Sequence, residues 1–170
     1  MLSLEWHPSQ ANVIGVTMSD GCVCLCESTQ GELWGQDSIM KVTNIQSHGL
    51  EAWMLAFSAD INGTMDVYSG GDDVILQRSS GNKAEEYTLL WQDRKTHQAG
   101  VTTILPLTSE LVLTGSYDDH IRLISTPRVG RRQVLAEENI GGGVWRLKLL
   151  NTEVAQTAAS ASSALSDTTK

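Results

Sequence analysis

The chain has 170 residues, of which 41% are hydrophobic and 19% are charged. This composition is enough to build one packed domain and argues against wholesale disorder. The 12 Lys and Arg residues against 20 Asp and Glu residues give a net charge of −8, so we expect no nucleic-acid partner and no binding to an anionic membrane.

The N-terminal sequence, the lengths of the apolar runs and the cysteines bear on the cellular compartment. The N-terminus has no basic segment followed by an apolar stretch, and no run approaches the roughly 18 apolar residues of a membrane span. The three cysteines lie in one tract, at positions 22, 24 and 26, which is not a disulfide framework and favours a reducing compartment. We therefore expect a cytoplasmic protein.

Short apolar or alternating runs, bounded by Gly, Asp, Asn and Ser, recur along the whole chain. This pattern is typical of short β-strands with tight turns and predicts an all-β fold. In chain order the predicted strands are residues 2–6, 13–18, 22–26, 52–57, 67–69, 74–78, 87–91, 101–105, 111–114, 121–124 and 144–149.

Three strand–turn–strand units repeat, each with an aspartate in its turn. These aspartates are Asp20, Asp73 and Asp118, spaced by 53 and 45 residues. His48 lies 25 residues before Asp73, and His97 lies 21 residues before Asp118. A period of about 40–50 residues with four strands is typical of propeller blades. The sequence predicts about three four-stranded antiparallel blades and one extra strand at 144–149.

The repeated units resemble WD repeats, although the Trp-Asp pair that names the repeat is absent at all three strand ends. The resemblance implies a buried network in each blade that joins a His, a Ser or Thr and the turn Asp. Such a network locks the turn, because the carboxylate accepts hydrogen bonds from the ring and from turn amides. The network residues are His48, Ser69 and Asp73 in one blade, and His97, Thr114 and Asp118 in the next.

Four longer motifs are more specific than the blade pattern. They are EAWMLAF at 51–57, YSGGDD at 68–73, TGSYDDHIRL at 114–123 and GGGVWRLK at 141–148. Together they resemble the methyl ester hydrolases of diphthamide biosynthesis, which are WD-repeat proteins. The resemblance implies demethylation of methylated diphthine, a modified histidine on elongation factor 2, to give diphthine. The alternative is a non-catalytic WD-repeat protein-interaction scaffold, because WD propellers usually display surfaces.

The last 20 residues contain 13 Ala, Ser or Thr residues. This composition predicts a disordered tail at 151–170 after a propeller domain at 1–150. Three blades and one strand do not close a ring of 4–8 blades, and a seven-blade ring needs about 280 residues. We therefore expect a partial propeller.

Ester hydrolysis needs an activated nucleophile or water and stabilisation of an oxyanion. The sequence has no G-x-S-x-G, H-E-x-x-H or C-x-x-C motif, so it supports neither a serine hydrolase elbow nor a common zinc site. We expect no cofactor and no metal, and the cysteines are interpreted as core residues rather than metal ligands.

The remaining polar residues of the motifs are the candidates for chemistry. Blade geometry places the loops before first strands and the turns between second and third strands on one face, near the mouth of the central channel. The catalytic candidates are Glu51, Asp72, Asp119 and His120. The substrate implied by the resemblance carries a trimethylammonium group, which binds over aromatic faces and near carboxylates. The substrate-binding candidates are Trp53, Tyr117, Trp145 and Arg146, with Arg146 facing the ester carbonyl or pairing with an acidic neighbour. For each carboxylate, solvated surface charge is the simpler alternative.

Overall fold

The computed structural model describes residues 1–30, 34–35, 37–58, 63–82 and 86–150. Within these ranges the chain forms twelve β-strands. They are β1 Ser3–Trp6, β2 Val13–Thr17, β3 Cys22–Gln30, β4 Ile39–Ser47, β5 Ala52–Phe57, β6 Met65–Gly71, β7 Leu76–Gly81, β8 Thr88–Asp93, β9 Val101–Pro106, β10 Leu111–Ser116, β11 His120–Ser125 and β12 Gln133–Asn139. The described residues include no helix long and apolar enough to cross a membrane.

The strands form three four-stranded antiparallel sheets, which confirms the predicted all-β fold. Sheet 1 has the order β1-β2-β3-β4, sheet 2 has β5-β6-β7-β8, and sheet 3 has β9-β10-β11-β12. The first strands of neighbouring sheets contact each other, β1 with β5 and β5 with β9. The sheets therefore stand side by side as propeller blades do, with their first strands innermost.

Two strands were not predicted, β4 and β12, and both are the outermost strands of their sheets. All seven residues of β12 are exposed, and most of β4 is exposed as well. Neither sequence, IMKVTNIQS or QVLAEEN, alternates regularly between apolar and polar residues, so neither carries a clear strand signal.

The predicted extra strand at 144–149 is wrong, because these residues have no regular secondary structure. The segment begins next to sheet 3, where the backbone N–H of Val144 donates to the carbonyl of Ser116 at 3.1 Å. A strand needs a neighbour that completes its ladder, and no strand in the described part of the chain pairs with this segment. The predicted tail at 151–170 lies outside the described residues.

Sheet 2 is the middle sheet, and it is packed on both faces. Towards sheet 1, Ala52, Leu55 and Val67 form a core cluster with Val23. Towards sheet 3, a second cluster joins the two sheets, and it contains Ala56, Tyr68, Leu76, Trp91, Val101, Ile104, Val112 and Ile124. Burial of apolar surface between neighbouring sheets is the main favourable contribution to this arrangement.

An ion pair is buried between sheets 2 and 3. Arg78 and Asp66 are 0% and 1% exposed, and Arg78 Nε donates to Asp66 Oδ2 at 2.9 Å. Arg78 also donates to the carbonyl oxygens of Ser109 at 2.8 Å and Thr126, which belong to the loops of sheet 3. Arg128 donates to Asp66 Oδ1 at 2.6 Å from the surface side. Because a buried charge needs such partners, the pair fixes how the two sheets meet.

Candidate functional site

Three aromatic rings meet near the inner strands, and they are termed the aromatic cluster. Tyr117 and Trp145 are edge to face with ring centroids 4.8 Å apart. Trp53 lies 6.0 Å from Trp145 and 6.2 Å from Tyr117, also edge to face. Trp145 is 58% exposed and Tyr117 is 38% exposed. The structure thus brings together three of the four predicted substrate-binding residues as one open aromatic surface.

A β-bulge sets the position of Trp53 in the cluster. In the pairing of β5 with β6, Ala52 faces Gly71 and Met54 faces Gly70, so Trp53 has no partner of its own. Sheet 3 has the same irregularity, which leaves Thr102 unpaired between Val101 and Thr103. Bulges of this kind re-aim a side chain. Trp53 is therefore directed by a local interruption of the ladder.

Two glycines admit the other two rings. A Cβ on Gly115 would lie 2.4 Å from Cγ1 of Val144, so only glycine allows the segment that carries Trp145 to pass this close to sheet 3. A Cβ on Gly143 would lie 3.1 Å from Cδ1 of Tyr117. The GGGVWRLK motif therefore has a structural role, because Gly143 and Val144 allow Trp145 to pack against the ring of Tyr117.

The aromatic cluster borders a cavity of about 520 Å³ between the inner strands. The cavity is lined by residues of β1, β5 and β9 and by the segment that follows Trp145. Its charged lining residues are Glu5, Arg146 and Lys148. Such a volume accommodates a small ligand or one modified side chain. The fourth predicted binding residue, Arg146, thus lies beside the cluster and lines the same space.

Glu5 is the carboxylate that the sequence reasoning missed. It lies on β1, lines this cavity, and together with Trp6 also lines a second cavity along the inner strands. Glu5 is an exposed residue, but the atoms around its carboxyl group desolvate it in part and raise its pKa. An acidic residue inside an apolar inner strand was the available signal, because the fold does not require a charge there.

Glu51, which precedes β5, and Asp72, which follows β6, lie close to each other. The backbone N–H of Asp72 donates to the carbonyl of Glu51 at 2.9 Å. A Cβ on Gly100 would lie 3.0 Å from Oδ1 of Asp72, so the carboxylate lies over this glycine. The carbonyl of Gly100 in turn accepts from the N–H of Tyr117 at 3.0 Å. The two acids therefore adjoin the base of the aromatic cluster, while neither lines the cavity described above.

Asp119 and His120 are held by sheet 3 instead. Asp119 has a left-handed backbone with φ of 66°, and its carbonyl accepts from the N–H of Ile140 at 2.9 Å. His120 Nδ1 lies 3.6 Å from Oδ1 of Asp118, and its Nε2 lies 3.4 Å from Nδ2 of Asn139. These contacts belong to the β10–β11 turn and to β12, and neither residue lines the cavity.

The predicted repeat network is complete in sheet 2, whereas in sheet 3 His97 is not bonded to Asp118. In sheet 2, His48 Nε2 lies 2.8 Å from Ser69 Oγ, and His48 Nδ1 lies 2.9 Å from Asp73 Oδ1. In sheet 3, His97 Nε2 lies 2.9 Å from Thr114 Oγ1. Asp118 accepts instead from the backbone N–H of Gln98 at 2.8 Å and from Arg122, while Nδ1 of His97 is buried without a partner among the described residues.

The cysteine tract forms part of a core. Cys24 and Cys26 are buried and cluster with Val16, and Cys22 and Trp34 are among the residues packed against them. Burial raises the pKa of all three thiols, which disfavours the thiolate form that binds metals or attacks a substrate. Among the described residues, no group of three or more His, Cys, Asp or Glu side chains is arranged to hold a metal ion.

Comparisons with known proteins identify relatives, although no family model matches the chain. A diphthine methyltransferase of Schizosaccharomyces pombe is 30% identical over 154 residues, which cover 89% of this chain and 43% of the relative. A human protein of the same name is 36% identical over 115 residues, which cover 65% of this chain and 23% of the relative. One of Saccharomyces cerevisiae is 28% identical over 134 residues, which cover 34% of the relative.

The chain thus spans less than half the length of the curated relatives it matches. The matched stretch in the fission yeast relative extends over most of the described sheets, since it covers 89% of this chain. Over that stretch, the chain is a homologue of the proteins named diphthine methyltransferase.

Proposed function

We propose that the chain acts in diphthamide biosynthesis, and that it hydrolyses the carboxyl methyl ester of methylated diphthine on elongation factor 2 in the cytoplasm. The name of the relatives, diphthine methyltransferase, supports a role in this pathway. The observation that carries the finer proposal is the aromatic cluster beside a cavity that contains one acidic and two basic side chains.

The aromatic cluster suits the trimethylammonium end of the substrate. A quaternary ammonium group is attracted to the faces of Trp and Tyr, with about 0.5–2 kcal/mol for each favourable contact. Trp145 and Tyr117 are exposed enough to receive such a group. The carboxylates of Glu51 and Asp72, at the base of the cluster, add negative charge near the cation. We therefore assign these four residues, with Trp53, to substrate binding and to long-range attraction of the ammonium group.

The cavity suits the ester end of the substrate. Glu5 is placed to take a proton from a water molecule whose oxygen attacks the ester carbonyl carbon, and its raised pKa strengthens it as a base. Arg146, which lines the same cavity, neutralises the oxyanion that forms. The bond to the methoxy group then breaks, the leaving oxygen receives the proton from Glu5, and the products are methanol and the carboxylic acid of diphthine.

The indole N–H of Trp53 supports the same arrangement. It is buried without a hydrogen-bond partner among the described residues, and such a donor is costly until an acceptor reaches it. An ester oxygen of a bound substrate would satisfy it. The catalytic role of Asp119 and His120 stays a prediction, since their contacts lie within sheet 3.

Hydrolysis and methyl transfer are separated by one experiment. The chain is mixed with methylated elongation factor 2 in the absence of any methyl donor or acceptor, and released methanol is measured. We expect methanol, and we expect Glu5→Gln to reduce its rate by about 10²–10⁴-fold. Trp145→Ala should raise KM with a smaller effect on kcat. The matched control is Glu27→Gln, which keeps the size of the side chain and lies on β3, outside the cavity. It should behave like the parent.

Two results would contradict the proposal in different ways. Absence of methanol release with intact binding of the factor favours the interaction scaffold. Methanol release that Glu5→Gln leaves unchanged shows that the reaction is right and the assigned base is wrong. Thermal melts of each variant separate loss of activity from loss of folding.

A further inference from the structure

A second cavity lies between the outer parts of sheets 2 and 3, away from the aromatic cluster. It has a volume of about 460 Å³ and is lined by Thr96, Arg131, Arg132, Gln133 and Val134. Thr96 comes from the loop after β8, and the other residues come from the β11–β12 loop and the start of β12. This cavity, together with the two loops that border it, is termed the basic pocket.

The basic pocket concentrates positive charge on an acidic chain. The two loops contain Arg94, Lys95, Arg128, Arg131 and Arg132, which are five of the 12 Lys and Arg residues in a chain of net charge −8. Arg94, Lys95 and Arg131 are exposed. A local cluster of one sign on a surface of the other sign produces a focused potential. This concentration needs an explanation that the site at the aromatic cluster does not provide.

The nearby acidic group is already engaged, which leaves the pocket with excess positive charge. Asp93 Oδ1 accepts from the backbone N–H groups of Lys95 and Thr96 at 2.9 and 3.0 Å. Its Oδ2 lies 3.5 Å from Nε of Arg132. Burial opposes ionisation of Asp93, but these hydrogen bonds outweigh it and lower its pKa. The carboxylate therefore organises the pocket without neutralising its remaining cations.

Arg132 is also held in place by an aromatic ring. Its guanidinium carbon lies 4.6 Å from the ring centroid of Trp91. A stacked guanidinium keeps its outward N–H groups free for a planar anion such as a carboxylate, at a low entropic cost. The pocket thus combines one fixed arginine with three exposed cations around a concave surface.

From this geometry we propose that the basic pocket binds a short acidic segment of a partner protein. Carboxylates match the fixed arginine, and the 460 Å³ cavity fits one or two side chains. A long polyanion such as a nucleic acid fits less well, because it would extend over the rest of an acidic surface. The pocket acts as a docking site that is independent of the proposed ester hydrolysis.

The test measures binding of a fluorescent glutamate peptide of about ten residues by anisotropy, at about 50 mM and about 150 mM NaCl. We expect saturable binding that weakens at the higher salt concentration. Arg131→Ala combined with Lys95→Ala should weaken it by about tenfold. Lys41→Ala combined with Lys148→Ala removes the same net charge elsewhere and should change binding less than about twofold.

Three outcomes would overturn the proposal. They are absence of saturable peptide binding by the parent at low salt, equal losses in the two double variants, and tighter binding of an oligothymidine of the same length. Thermal melts of both double variants show that the comparison concerns folded proteins, and the exposed positions of Arg131 and Lys95 make unfolding an unexpected result.

Discussion

Sheets 2 and 3 begin from the same sequence pattern and build two different networks. In sheet 2, His48 joins Ser69 and Asp73, with 2.8 and 2.9 Å between the bonded atoms. In sheet 3, His97 keeps its bond to Thr114, but its other ring nitrogen has no partner among the described residues. The residue types that define a repeat therefore do not determine which of them are bonded to each other.

The difference comes from the residue four positions after the turn aspartate. In sheet 3 this is Arg122, whose Nη1 donates to both oxygens of Asp118 at 2.8 and 2.9 Å and whose Nε contacts Glu137. In sheet 2 it is Gln77, whose Nε2 donates to the carbonyl of Ser47 at 2.8 Å. A cation competes better for a carboxylate than a neutral ring does, so the arginine displaces the histidine.

Arginine in sheet 3, in place of the glutamine of sheet 2, alters the pKa values of the neighbouring histidine and aspartate. Burial and the charge of Arg122 lower the pKa of His97 to about 4. Burial also lowers the pKa of His48, but Asp73 opposes this shift. Burial disfavours the charged form of Asp118, yet the hydrogen bonds from Arg122 and the N–H of Gln98 prevail and bring its pKa to about 2. Sheet 3 thus has an arginine–aspartate ion pair where sheet 2 has a histidine–aspartate hydrogen bond.

The largest effect is expected from Arg122→Ala. Arg122 is 1% exposed and Asp118 is 5% exposed, and removing one partner of a buried ion pair costs about 3–5 kcal/mol of unfolding free energy. The corresponding change in sheet 2, Gln77→Ala, removes two neutral hydrogen bonds, to Ser47 and from Gln92, and costs about 1–3 kcal/mol. Urea denaturation of both variants measures the difference.

A second substitution at the same position sharpens the test. Arg122→Gln gives sheet 3 the residue of sheet 2, and it allows His97 to approach Asp118 as His48 approaches Asp73. We expect it to be less destabilising than Arg122→Ala and to raise the pKa of His97, measured by NMR titration. Equal losses for the two substitutions, with no change in the titration, would mean that Arg122 does not determine the network.

A smaller effect is expected from pH, and it depends on His97. The pKa of His97 is about 4 in the folded protein against an ordinary value of 6.5. Between these values the unfolded chain binds more protons, so the free energy of unfolding falls as pH falls from 6.5 towards 4. The loss is about 3 kcal/mol over the whole window.

Denaturation midpoints between pH 7 and pH 4.5 measure this slope, and His97→Asn is the matched variant. Removing the ring should flatten the pH dependence more than His48→Asn does, because burial of His48 is opposed by a neighbouring carboxylate. The window lies above the ordinary pKa of Asp118, so this group contributes little to the slope. Identical slopes in the parent and His97→Asn would assign the pH dependence to other groups.

Ten of the twelve strands in the described residues were found from the sequence, because short apolar runs bounded by turn residues mark them. The inner strand β5 and the turn aspartates gave clear patterns, while β12 has no buried residue and gave none. The side-chain contacts between sheets could not be predicted from the sequence either. Asp66 and Arg78 are 12 residues apart, and no local pattern indicates that they pair or that Arg78 donates to the carbonyl of Thr126 across the sheet boundary.

Part of the candidate site could be predicted from the sequence and part could not, for a similar reason. Residues in loops and turns could be placed on one face from blade geometry, so the meeting of Tyr117 with Trp145 followed from their positions in the repeat. Glu5 lies on β1, whose unit has no preceding histidine in the sequence to mark it. Its relation to the cavity depends on how three inner strands pack, which only the structure describes.

The smallest effect is expected in sheet 1, which has the turn aspartate without a histidine partner in the described structure. Asp20 is exposed, and its Oδ1 accepts from the backbone N–H of Cys22 at 3.0 Å, a bond that lowers its pKa. The position four residues before the turn aspartate, which holds Ser69 in sheet 2 and Thr114 in sheet 3, holds Val16 in sheet 1 and provides no hydroxyl for a ring. Asp20→Ala should therefore leave the urea midpoint close to that of the parent, because water replaces the carboxylate at an exposed amide. A loss as large as that of Asp118→Ala, measured in parallel, would show that the turn aspartate stabilises a blade by itself and that the histidine network of sheets 2 and 3 is secondary.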